Sequence, residues 1–260
     1  MQTALSASDT KIQRARKHLA ELESEVGNFV ASRPVKFNVE TIENSGGRSF
    51  NFHMHMAPVS ENVGAIVGDV IHNLRAALDL TATEMVRKGG GDDKGVCFPF
   101  CESAEDLDGT IKKRNFDKAG AEAVALLQTL KPYRNGNAAL RVIHDLDILD
   151  KHRALIPTAM SAASPVVRMW DDDGTINPQI IGDPAAPTDI KIMFPNEVGL
   201  QGRELIPTLR ELVQLVDDIV EAFRSLAGKE SRTNEVAPVT GPPQILELLR
   251  RNQSARASEG

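Results

Sequence analysis

Two short runs of this 260-residue chain concentrate ionisable side chains at helical spacing: HNLRAALD at 72–79 and HDLDILDKHR at 144–153. At 100° per residue His72, Arg75 and Asp79 fall on one narrow stripe, and His144, Asp147 and Lys151 share one side of a second helix, with His152 following. A cluster of imidazole, carboxylate and cation suits general acid–base work, because histidine titrates near neutrality and either burial or a neighbouring carboxylate moves its pKa. The same cluster suits a structural polar network, since ion pairs perturb pKa values without serving catalysis. His72, Arg75 and His144 are the candidates for chemistry. Asp79, Asp147, Lys151 and His152 complete a binding or structural polar cluster.

The elements that carry these runs differ. Residues 62–88 place Val63, Ile66, Val67, Val70, Leu74, Leu78, Thr81 and Met85 on one apolar stripe, and KGGGDDKG ends the helix. His72, Arg75 and Asp79 lie roughly opposite that stripe. Ala65 and Ala76 beside them leave room for a second helix or a second subunit. In the helix expected over 137–155, Leu140, Ile143, Leu146, Ile148, Leu149 and Leu155, with Ile156 just beyond, cover nearly the whole circumference, the pattern of a buried helix. Ionisable groups there must be paired, because stranding one costs several kcal/mol. The most economical source of partners is the first stripe, in cis or across a dimer.

Around these two helices the sequence predicts an α+β protein, mainly helical: a helical bundle with a small antiparallel sheet. A helix over 8–31 opens on Ser8 and Asp9 as cap candidates, and others are expected over 104–113, 118–130 and 202–227. Period-two alternation predicts a β-hairpin over 35–56 and a strand region over 165–195, which the early hairpin could extend. Residues 8–228 then form one domain, and 229–260, polar apart from ILELLRR, read as a flexible tail.

Composition narrows the function classes. At 4% aromatic residues the core is aliphatic, which favours helices, and a net charge of −6 argues against broad DNA binding. Two cysteines cannot supply a disulfide framework for a chain this long, and no stretch approaches the roughly 18 apolar residues of a membrane span. A cytoplasmic protein is expected, without membrane contact. His53 and His55 share a face of the second hairpin strand and could bind a metal only if a third ligand arrived from outside. Exposed polar positions are the plainer reading. The spacing from His144 to His152 is not that of HExxH, the glycines at 89–91 lack the ending of a phosphate-binding loop, and DDDG at 171–174 has Gly182 where a calcium loop needs its twelfth-position Glu. No cofactor is implied.

The order GDVIHNLRAALDLTA, FPF, LQTLKPY and LRVIHDLDILDKHRALI resembles a widespread family of uncharacterised bacterial and phage proteins over roughly residues 10–160. That resemblance implies a bacterial or phage origin and carries over no activity. A more distant similarity is to the HEPN helical ribonucleases, which use an Arg and a His four to six residues apart on one helix, without metal. This chain departs from the pattern: Arg141 precedes His144 by three positions, and Arg48 with His53 and His55 lies on a predicted strand. HEPN-like chemistry here would need Arg75 to hold phosphate while His72 and His144 exchange protons. The expected function is a noncatalytic protein that self-associates or binds a small molecule. A metal-independent HEPN-like ribonuclease acting on RNA is the alternative.

Overall fold

The computed structural model describes residues 5–45, 47–152, 159–162, 166–171, 173–181, 190–194, 200 and 202–229. In chain order the elements are α1 (Ser6–Ala31), β1 (Val35–Asn44), β2 (Gly47–Met56), α2 (Glu61–Lys88), α3 (Leu107–Lys113), a 3₁₀ turn (Phe116–Ala119), α4 (Ala121–Leu130), α5 (Ala138–His152), β3 (Ala159–Ala162), β4 (Val166–Trp170), β5 (Ile176–Ile181), β6 (Ile190–Met193) and α6 (Leu205–Lys229). The mainly helical α+β class read from the sequence is what folds. Among the described residues no helix is long and apolar enough to cross a membrane.

The centre of the molecule is α2, which packs against α1, α5, α6 and the 3₁₀ turn. At 28 residues it is about 42 Å long at 1.5 Å per residue. Ser60 starts it by accepting the Asn62 N–H at 3.2 Å. Its buried surface is wider than the single apolar stripe, because Ile71, Asn73, Arg75 and Ala77 are buried as well. α6 closes the bundle as its periodicity predicts: Leu205, Leu209, Leu212, Val213, Val216, Ile219, Val220 and Phe223 are all buried, and Phe223 meets Phe116 edge-on with ring centroids 6.1 Å apart.

Several local expectations yield to tertiary partners. Ser8 and Asp9 do not cap α1. The helix begins at Ser6, with Leu5 in the left-handed region at φ 66. Ser8 is buried with its hydroxyl 3.0 Å from that of Thr81, Asp9 pairs with Arg224, and the Leu5 N–H donates to Glu84 at 2.7 Å. The helix expected over 118–130 is broken at Gly120, whose φ of 95 suits a residue without Cβ. α3 starts only at Leu107. α5 is not buried all round: Ile148 is 41% exposed. Leu155 and Ile156, the end of the helix expected there, lie outside the described residues, as does the tail from 230 to 260.

Among the described residues the strands form three separate antiparallel pairs, β1 with β2, β3 with β6 and β4 with β5. The early hairpin therefore does not extend the later strands, although β1 touches β5. Its register runs from Val35 opposite Met56 to Asn44 opposite Gly47.

Gly89, at the C-terminal end of α2, shows how tightly the 3₁₀ turn is seated. A Cβ placed there would lie 2.4 Å from the Lys118 carbonyl oxygen, a backbone atom that cannot rotate aside. Gly89→Ala is expected to cost about 1–3 kcal/mol of stability through overpacking. Denaturant titration of the variant measures that loss.

Candidate functional site

The two polar runs meet in cis, along a seam where α2 and α5 run antiparallel. At one end Gly68 faces Asp150. A Cβ at Gly68 would fall 2.3 Å from Asp150 Oδ1, so the glycine is what admits that carboxylate. One turn along α2, His72 Nδ1 donates to Asp147 Oδ1 at 3.1 Å. The pair is asymmetric: the His72 side chain is 47% exposed and that of Asp147 only 6%. A buried carboxylate is costly unless charge or hydrogen bonds replace its water. Asp147 has the His72 donor beside it and also acts electrostatically on Arg75 and His144.

Arg75 is buried between the helices and pairs with Asp79 at 3.0 Å. Its guanidinium lies over the Phe100 ring, 4.4 Å from the centroid, a cation–π contact of the kind arginine favours. Burial draws the guanidinium below its ordinary pKa, and Asp79 opposes that shift. Asp79 has a second task, accepting the Phe98 N–H at 2.8 Å. The FPF segment is thereby tied to α2, which places Phe100 against Arg75.

His144 stacks on the same Phe100 ring, with centroids 4.8 Å apart and planes 5° from parallel. Burial, then the charges of Arg75 and Arg141, lower its pKa to about 4, so the ring is neutral at physiological pH. Its Nδ1 is buried without a hydrogen-bond partner. Below it on α5, Arg141 is fully engaged: it donates to the Cys101 carbonyl at 2.5 Å, to Glu102 at 2.6 Å and to Asp145 at 2.9 Å. Glu102 also accepts from Arg134, and these two guanidinium partners hold its carboxyl below the usual range. Asn137 caps α5, accepting the Leu140 N–H at 3.0 Å.

Beside His144 the surface sinks into an open concavity of about 470 Å³, lined by Phe100, Glu102, Glu105, Asp106, Thr110 and Arg141 among others. His72, Arg75, His144, Asp79 and Asp147 thus come together as the spacing suggested. Side chains of Lys151 and His152 lie outside the described residues. His53 and His55 stand apart on the hairpin, where His53 Nε2 is 3.2 Å from Glu40. Among the described residues no group of three or more His, Cys, Asp or Glu is arranged to hold a metal.

Sequence reading overlooked Phe100, Glu102, Gly68 and Asp150, and weighed Arg141 only for its spacing to His144. The FPF turn between two cysteines and the Arg at the start of α5 were visible signals, but nothing local says that an aromatic ring 25 residues from Arg75 will lie under it. The site defines a class, a helical bundle with a buried polar seam opening onto an acidic concavity. Comparison of the chain with protein-family models, curated proteins and solved structures gives no match.

Two measurements follow from the seam. Asp147→Ala removes the buried acceptor of His72 and one of the carboxylates acting on Arg75, which keeps Asp79, and is expected to cost about 1–3 kcal/mol in denaturant unfolding; an unchanged midpoint would contradict the pairing. The unfolded chain protonates His144 as the pH falls through about 6.5, whereas the folded one does so only near 4. Stability should therefore fall as the pH drops from 6.5 towards 4, and melting curves of wild type and His144→Gln should converge over that window.

Proposed function

We propose that this is a noncatalytic binding protein of a reducing cytoplasm, in which the α2–α5 seam is structural and the concavity beside His144 takes a small organic cation. The observation that carries the reading is the lining itself: Glu105 and Asp106 add two carboxylates beside Arg141, the one guanidinium of the lining, which is already matched by Glu102, Asp145 and the Cys101 carbonyl. His144 is neutral there, so its ring adds no repulsion to a cation. The seam groups have structural work already, with Arg75 engaged by Asp79 and Phe100 and Asp147 by His72. The free thiols Cys97 and Cys101 fit a reducing compartment.

One observation supports the alternative of a metal-independent ribonuclease. His72 is half exposed and oriented by a buried carboxylate, as a general base is. Arg75 is poorly suited to hold phosphate, since its side chain is only 10% exposed, and the acidic concavity repels a polyanion.

Thermal melting with spermidine or agmatine separates the two readings. A cation at a hundredfold excess over its Kd should add about 2.7 kcal/mol of stability. The gain should vanish in Glu105→Gln/Asp106→Asn. Stabilisation by inorganic phosphate with none by the amines, or RNA cleavage in EDTA that disappears in folded His72→Ala, would overturn the binding reading.

A further inference from the structure

Exposed apolar side chains are not scattered over this molecule. Six large hydrophobic residues are exposed among the described residues, and five of them, Phe52, Met54, Met56, Trp170 and Ile176, lie on the β1–β2 and β4–β5 hairpins. Alternation along β2 puts Phe52, Met54 and Met56 on one face, opposite Val39, Phe37 and Val35 of β1. Lys36, Asn38, Glu40, Asn51, His53 and His55 occupy the other face. The hairpin is amphipathic, with one side made for burial. Yet Val35 is the only buried residue among the described residues of its two strands, and an isolated two-stranded hairpin is marginal in water. Trp170 sits directly opposite Ile176 in the second hairpin, and contact between β1 and β5 brings the two hairpins together.

We infer that these two hairpins form a docking surface for a second copy of this chain, seated about a two-fold axis. Size is the argument. At roughly 100–150 Å² apiece the five side chains expose on the order of 600 Å² of apolar surface, at the upper end of the largest patch on a typical monomer. Met by its own image, that patch buries about 1,200 Å² in total, which reaches the range of specific, stable interfaces. A two-fold contact uses the same patch on both copies, so no second complementary surface is needed. The polar face of β1–β2 stays in water and stops further growth. This surface is distinct from the concavity beside His144, and the inference does not depend on the ligand reading.

Trp170 is the sole tryptophan of the chain and is 59% exposed, so its emission reports on the patch. Sedimentation velocity of the full chain from low-micromolar concentration upward should show a dimer, with Trp170 emission moving to shorter wavelength as the dimer fills. Phe52→Asp/Met54→Asp should be monomeric with unchanged helical circular dichroism, while Asn51→Asp on the polar face should still dimerise. If the doubly charged hairpin unfolds the protein, Ile176→Lys on the second hairpin applies the same test. A wild type that stays monomeric, a dimer that survives these charges, or a patch that becomes accessible only when residues 230–260 are deleted would each overturn the inference.

Discussion

Taking an ionised side chain out of water costs several kcal/mol unless charge and hydrogen bonds replace the lost hydration, and the α2–α5 packing is organised around that cost. Arg75 and Asp147 are both buried at the heart of the bundle. Asp79, the Phe100 face and His72 are the groups that make their burial tolerable. Each compensating contact fixes something larger. The Asp79 carboxylate holds both Arg75 and the backbone of Phe98, so the loop after α2 is set by the same group that neutralises the guanidinium. The small residue at Gly68 lets Asp150 reach α2, which sets how close the two helices come.

The same electrostatics shape the neighbouring concavity. Arg141 is buried, and its three nitrogens donate to Asp145, the Cys101 carbonyl and Glu102, so its positive charge is matched by protein acceptors. The carboxylates of Glu105 and Asp106 line the concavity alongside Glu102. Phe100 links the seam to this surface, since one ring touches both Arg75 and His144. A change in the charge of His144 would thus be felt by Arg75 directly. Burial holds the ring neutral, which keeps a second positive charge away from the Arg75 guanidinium.

Much of the architecture was legible from periodicity. The α6 stripe, the hairpin over 35–56 and the long helix ending at Lys88 follow from repeats of 3.6 and 2.0, which are local properties of the backbone. The errors are of one kind. Ser8 and Asp9 look like caps because Ser and Asp cap helices in general, but Thr81 and Arg224, more than 70 and 200 residues away, claim their side chains. Gly120 breaks a helix that composition alone would continue, and Ile148 is exposed although apolar residues surround its helix.

The candidate site divides along the same line. By itself the sequence determined that two stripes of charge lie on two helices and that the second needs partners, because side-chain spacing on a helix is fixed and burial of unpaired charge is prohibitive. Only the tertiary structure decided that His72 meets Asp147, that Phe100 touches both Arg75 and His144, and that Arg141 meets Glu102 and the Cys101 carbonyl. Those pairings span 25 to 75 positions of sequence, and contacts of that range are set by how helices cross and loops close, which no local spacing encodes.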